Sequence, residues 1–139
     1  MDYLRLTEKQ YGDLRELQTS YKREIGEEAP SGEDLARLFG AMERGEILFY
    51  GCAEEGRLVG CCSVAPVFST YDYSRSGVFE DFYIRPEYRH KGIARGLVRY
   101  AFRESGVSTL MVGSADCDRD MYVSLGFATE LGHMLAYQP

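Results

Sequence analysis

One stretch limits the possible folds more than any other: Ile84-Arg85-Pro86-Glu87-Tyr88-Arg89-His90-Lys91-Gly92-Ile93-Ala94. It lies between a strand pattern, Gly77 to Ile84, and a helix pattern, Ile93 to Glu104. Pro86 has no backbone N–H and stops the strand. Ile93, Ala94, Leu97, Val98, Ala101 and Phe102 then recur at the spacing of one helix face. The first turn of a helix offers unpaired N–H groups and the positive end of the dipole. Gly92 and Ala94 are small enough to let a phosphate approach that backbone, and Arg89 and Lys91 add full charges. The segment therefore reads as a pyrophosphate cradle. Its glycines do not fit G-x-G-x-x-G or G-x-x-x-x-G-K-[ST], which excludes the dinucleotide and P-loop readings.

Charge supports this reading. The 139 residues carry 16 Lys+Arg against 22 Asp+Glu, a formal net charge of −6. Between Arg85 and Arg103, however, six basic residues face one acid, leaving ten basic and 21 acidic residues elsewhere. A positive segment in an acidic chain indicates a local anion site and argues against a general nucleic-acid binder. The length suits one domain over residues 1–139. The longest charge-free stretch, from Leu58 up to but not including Asp72, is interrupted by Ser63, Pro66, Ser69 and Thr70, so no membrane span is expected. The start Met1-Asp2-Tyr3-Leu4-Arg5 shows no signal-peptide pattern. Cys52, Cys61, Cys62 and Cys117 show no C-x-x-C spacing, and the only histidines are His90 and His133. No metal site is expected, and the cysteines read as reduced thiols of a cytoplasmic protein.

The rest of the chain supplies a frame. Thr7 caps a helix with Leu14, Leu17 and Tyr21 on its inner side, and 24–32 reads as a loop. Ser31 or Gly32 opens a second helix carrying Leu35, Leu38, Phe39 and Met42, closed near Gly45. Ile47 to Ala53 and Leu58 to Val67 read as strands joined by the turn Glu54-Glu55-Gly56-Arg57. Phe68 to Ser76 reads as a mobile loop before the strand at 77–84. Val107 to Val112 is the next strand, Asp118 to Leu125 a helix closed by a left-handed Gly126, and His133 to Tyr137 a last strand. The expected order is α-α-β-β-β-α-β-α-β. The class is α/β (α+β in a stricter scheme), with a mixed, mostly antiparallel sheet flanked by helices.

Arg89-His90-Lys91-Gly92-Ile93-Ala94 resembles the R/Q-x-x-G-x-G/A signature of the GNAT superfamily of acetyl-CoA-dependent N-acetyltransferases. Ile84-Arg85-Pro86-Glu87-Tyr88 looks like that family's V-x-P-x-Y approach, and Met121-Tyr122-Val123-Ser124-Leu125-Gly126-Phe127 its F-Y-x-x-x-G-F motif. The resemblance covers residues 47–137, and the two N-terminal helices fit the family's order. One departure is Ala115, where many members carry Asn; Asp116 is the adjacent polar group. The resemblance implies acetyl-CoA as co-substrate, a GNAT-like fold and direct attack in a ternary complex. It implies that Phe82, Tyr83 and Ile84 lie along the pantetheine arm, with the Ile84 N–H facing the thioester oxygen. It implies that Arg89, His90, Lys91, Gly92, Ile93, Ala94 and Arg95 surround the phosphates. It also implies a homodimer, since dimers are common in the family.

Acetyl transfer to an amine poses two proton problems. With a pKa near about 10.4, under about 0.1% of a primary alkylamine is neutral at pH 7. A base must take the proton, and a leaving thiolate of pKa about 8.5 benefits from an acid. Glu80 and Asp81 are the candidate bases, and strand alternation expects them on opposite faces. Glu80-Asp81-Phe82-Tyr83-Ile84 is similar to the E-D-F-F-V stretch of the spermidine/spermine acetyltransferase branch, which implies Glu80 near the amine. Tyr122 matches the family's motif tyrosine, implying the general acid. Lys91, Arg95, Arg99 and Arg103 form a basic stripe in which only the first two are near enough to the helix start to meet phosphates.

The first two helices and their loop hold Glu24, Glu27, Glu28, Glu33 and Asp34, and the later loop holds Phe68, Tyr71 and Tyr73. An acidic, aromatic rim suits a small cationic amine. A protein lysine or N-terminus as acceptor, and a non-catalytic CoA-binding module, are the alternatives.

Overall fold

The computed structural model describes residues 1–139. Its elements are β1 (Asp2–Arg5), α1 (Tyr11–Glu24), α2 (Gly32–Glu43), β2 (Leu48–Glu54), β3 (Arg57–Ser69), β4 (Ser74–Ile84), α3 (Ile93–Ser105), β5 (Leu110–Met111) and α4 (Arg119–Ser124). The five strands form one sheet in the order β1-β2-β3-β4-β5, antiparallel except for the parallel β4–β5 pair. No helix is long and apolar enough to cross a membrane.

Local sequence explains the helix starts. Thr7 and Gln10 form a reciprocal capping box on a short 3₁₀ turn that runs into α1. Ser31 and Asp34 form another on α2, with bonds of 3.0 Å in both directions. Each sheet face then buries its own cluster. On the α1–α2 side, Leu14, Leu17 and Met42 pack on Phe49, Leu58, Cys61 and Tyr83. On the other, Ile93, Leu97, Val98 and Ala101 of α3 pack on Tyr50, Val59, Cys62, Val64, Phe79 and Ile84. Cys52, Cys61 and Cys62 are buried free thiols, and burial pushes all three up, so they behave as small apolar groups.

The observed order differs from the expected one at both ends. Asp2–Arg5 forms an edge strand against β2, a pairing too short to show as a period in sequence. Tyr3 of this strand lies against α3, where a Cβ on Gly96 would collide with its hydroxyl. His133 to Tyr137, expected as a last strand, pairs with nothing and is exposed. It carries the apolar run Met134-Leu135-Ala136, but a strand needs a partner edge. Phe68 to Ser76 is also not a long loop: β3 and β4 extend to leave only the turn 70–73.

Candidate active site

Three features of the fold meet at the middle of β4. The first is a gap. β5 pairs with β4 only at Gly77↔Leu110 and Val78↔Met111, so Phe79 to Ile84 have no strand partner on that edge. The Arg85 N–H donates to Val59 O at 2.8 Å, toward β3. By strand alternation the Ile84 and Phe82 N–H groups point the other way, into the gap.

The second is the turn into α3. His90 and Gly92 have φ of 61° and 80°, a left-handed backbone that glycine adopts without strain. Gly92 is the N-cap of α3 and makes no side-chain cap, so no side chain covers the N–H groups of the first turn. A Cβ at Gly92 would meet nothing within 4 Å, so the space over this turn is open. This arrangement fits a diphosphate.

The side chains around the turn are not all free to reach an anion. Arg89 donates from Nε to Ile84 O at 2.8 Å and pairs with Glu24 at 2.8 Å, with its guanidinium 5.5 Å from the Tyr83 ring. It thus ties the end of α1 to the end of β4, and only its backbone belongs to the turn. Arg95 donates to Ser124 O at 2.8 Å and so joins α3 to α4. Lys91 is exposed and lies 5.5 Å from the Tyr88 ring, beside the open turn.

The third feature is a bulge. Cys61 faces Tyr83 and Ser63 faces Glu80, so Asp81 and Phe82 together oppose the single residue Cys62. Asp81 takes up the extra length with φ of 54°, in the left-handed region. The expectation that Glu80 and Asp81 point to opposite faces therefore fails. Glu80 is the cross-strand partner of Ser63, and the Ser63 hydroxyl donates to Asp81 Oδ2 at 2.7 Å, so both carboxylates share the α1–α2 face. Glu80 is exposed and Asp81 half-buried.

Asp81 forms part of an open cavity of about 430 Å³ between β4 and the α1–α2 pair. Its other polar walls are Gln18, Lys22, Glu27, Glu28 and Asp34. Lys22 is held by Glu27 at 2.9 Å, and this hydrogen bond raises its pKa; Asp34 is paired with Arg37, so Glu28 and Asp81 are the acids of the cavity without an ion-pair partner. Of the expected acidic rim, Glu27, Glu28 and Asp34 line this cavity, whereas Glu24 is bonded to Arg89 and Glu33 lies outside. Phe68, Tyr71 and Tyr73 are exposed near the β3–β4 turn. Eight residues of strand, about 25 Å at about 3.3 Å per residue, separate Tyr73 from Asp81, so the aromatic part of the rim does not form.

Tyr122 on α4 packs its ring 6.3 Å from Phe82 and edge-on to Phe127 at 5.7 Å. Burial, with smaller effects from Tyr21 and Asp118, pushes its phenol up to about 12. It stays protonated at neutral pH. Asp116 and Cys117 are exposed on the turn before α4, and His133 is exposed beyond it.

Three further residues belong to this neighbourhood. Ser63 holds Asp81. Tyr21 sits 6.3 Å from the Tyr83 ring, and burial, Asp81, Glu27 and Glu80 raise its phenol against the opposing effect of Lys22. Gln18 lines the cavity from a helix face that is otherwise apolar there. From sequence, Tyr21 reads only as part of the inner side of the first helix, Gln18 is a polar residue in that stripe, and Ser63 carries no signal.

The acetyltransferase (GNAT) domain family matches residues 45–129, well over half of the chain. The chain belongs to the GNAT acetyltransferase family. Comparison with curated proteins finds no match. Among solved structures, this GNAT chain is similar to a probable acetyltransferase at 22% identity and TM-score 0.85, covering 100% of this chain and 97% of that one. It is also similar to a predicted acetyltransferase with acetyl-CoA from Clostridium acetobutylicum, at 21% identity and TM-score 0.77, covering 99% and 95%. A third is an aminoglycoside acetyltransferase from an uncultured soil metagenomic sample in complex with sisomicin, at 16% identity and TM-score 0.83, covering 99% and 95%. At these identities the likeness is one of fold. It bears out the expected α/β architecture with a mixed sheet.

Proposed function

We propose that the protein is an acetyl-CoA-dependent N-acetyltransferase acting on a small cationic primary amine. The observation that carries this reading is the meeting of the open β4 edge with an acidic cavity at Asp81. Acetyl-CoA supplies an activated acetyl thioester. The N–H groups of Gly92, Ile93, Ala94 and Arg95 would hold its phosphates, joined by the backbone of His90 and the Lys91 ammonium, while Arg89, its N–H bonded to Pro86 O, would shape the turn. Phe82, Tyr83 and Ile84 would line its arm along the free edge. The Ile84 N–H is aimed at the gap and would oppose negative charge developing on a carbonyl oxygen there.

Asp81, held by Ser63, would bind the substrate ammonium and exclude anionic acceptors. Glu80, on the same face and open to solvent, would take the proton directly or through water. The neutral Tyr122 phenol would return a proton to the leaving thiolate. No metal is required by these roles.

The test is thiol release from acetyl-CoA against a panel of amines, run with Glu80→Gln, Asp81→Asn and Tyr122→Phe. Glu80→Gln should lower kcat, and Asp81→Asn should mainly raise KM for the amine. The reverse split would assign the base to Asp81. Acetylation of peptides but of no small amine would favour a protein acceptor. CoA-dependent stabilisation without turnover of any amine would favour a non-catalytic CoA-binding module.

A further inference from the structure

Helix α1 brings one more reactive group to the site, the phenol of Tyr21. Tyr21 packs on the apolar cluster of the α1–α2 face, with its ring 6.3 Å from that of Tyr83. Tyr122 packs on the cluster of the α3 face, with its ring 6.3 Å from that of Phe82. Phe82 and Tyr83 are consecutive residues of β4, in the stretch that has no strand partner on its outer edge. The two phenols therefore flank the same free edge from opposite faces of the sheet.

The Tyr21 hydroxyl is unengaged. The hydroxyls of Tyr3, Tyr11 and Tyr88 are held by protein acceptors. Tyr21 makes no hydrogen bond, and its oxygen keeps contact with solvent, whereas the Tyr50 hydroxyl is closed off. Tyr21 stands outside the walls of the acidic cavity, but Lys22 beside it is one of them. The Lys22 ammonium, 5.6 Å from the Tyr21 ring, is occupied by Glu27. Burial raises the Tyr21 phenol, and the charges acting on it are those of the site: Asp81 first, then Lys22 in opposition, then Glu27 and Glu80. Tyr21 in turn acts on Tyr122 more strongly than Asp118 does. The phenol thus lies between the carboxylates and the free edge, and it is protonated at neutral pH. A neutral phenol can accept one hydrogen bond while it donates another.

We propose that Tyr21 is a further catalytic residue, whose hydroxyl meets the acceptor nitrogen at the free β4 edge and relays its proton to the Glu80 and Asp81 carboxylates. This rests on the acetyl-transfer reading above. It names the group that carries the proton where water would otherwise serve. One nitrogen proton passes to the Tyr21 oxygen as the Tyr21 O–H proton passes to a carboxylate, Glu80 in the assignment above. The phenol ends as it began and the carboxylate becomes a carboxylic acid. The nitrogen keeps the electron pair that forms the new C–N bond as the C–S bond breaks. A second nitrogen proton, lost as the amide forms, balances the one that Tyr122 gives to sulfur.

The experiment measures kcat and KM with acetyl-CoA and the best amine of the panel for wild type, Tyr21→Phe, Glu80→Gln and the double variant. Tyr21→Phe keeps the ring that packs on Tyr83 and removes no hydrogen bond, so it should fold, and the CoA-induced rise in Tm checks this. Its kcat should fall about 100-fold, the lower end for a general acid–base group, with KM for acetyl-CoA and the CoA-induced rise unchanged. The double variant should lie within about threefold of the slower single variant, because the two residues serve one proton path. If Asp81→Asn rather than Glu80→Gln carries the loss of kcat, the double variant is made with it. A kcat within about tenfold of wild type overturns the proposal, as does a double variant whose loss is the product of the two single losses. Non-additivity with Tyr122→Phe instead would assign Tyr21 to the leaving thiolate and overturn the relay. Each of these outcomes leaves the acetyl-transfer reading standing. Absence of turnover with all amines in the wild type removes both.

Discussion

Gly92→Ala separates what the α3 turn does for the fold from what it does for the ligand. Gly92 has φ of 80°, and an L-residue there costs about 1–2 kcal/mol. No packing term is added, because a Cβ would have nothing within 4 Å. At about 2.1 cal/mol/K per residue, 139 residues unfold with an entropy of about 0.29 kcal/mol/K. The strain should then lower Tm by about 3–7 °C. The methyl group also occupies the space proposed for the phosphates. CoA at a hundred times its Kd stabilises the wild type by about 2.7 kcal/mol, and a tenfold weaker Kd removes about 1.3 kcal/mol of this. The CoA-induced rise in Tm should therefore shrink by a further 4–5 °C or so in the variant. Thermal melts of both proteins, with and without CoA, check the two effects independently. A variant that loses stability to the strain but keeps the full CoA-induced rise would refute the assignment of the phosphates to this turn.

Other consequences follow from the same geometry. Tyr122→Phe should lower kcat by about 100-fold, within the range typical of a lost general acid, and leave KM for acetyl-CoA nearly unchanged. The same variant should flatten alkaline unfolding. A phenol raised to about 12 in the fold, against 10.0 for its ordinary value, stabilises below pH 10 and loses that contribution as pH rises toward 12. Arg89→Met removes a charged donor from Ile84 O and the Glu24 pair, and should cost about 1.5–3 kcal/mol in denaturant unfolding. Gly77→Ala would place a Cβ 2.5 Å from the Val64 side chain, which is fully buried, and should cost about 1–3 kcal/mol by overpacking.

Much of this architecture was legible in the sequence because it is written locally. The caps at Thr7 and Ser31, the stop at Pro86 and the small Gly92 each act within a few residues. The phosphate turn could be read for the same reason. What could not be read depends on pairing between distant segments. The bulge that brings Asp81 onto the face of Glu80 exists only because β4 has one residue more than β3 between two fixed pairs. Asp81 is not a glycine, so its left-handed backbone left no mark in composition. Arg89 read as a phosphate ligand because its partner, Glu24, lies 65 residues earlier. Tyr3-Leu4 is too short a pattern to announce an edge strand, and the pattern at His133 to Tyr137 found no partner edge.

The central claim is that an acetyl group passes from acetyl-CoA, held at the α3 turn and the free β4 edge, to an ammonium-bearing acceptor in the acidic cavity. The measurement that tests it most directly is mass-spectrometric detection of the acetylated product from acetyl-CoA and competing amines. The mixture should pair cationic diamines and amino alcohols with amino acids that carry a free carboxylate. The account predicts N-acetylated cationic amines, with product formation reduced by Asp81→Asn. Equal acetylation of the carboxylate-bearing amines, or none of the cationic ones while CoA still raises Tm, would contradict it.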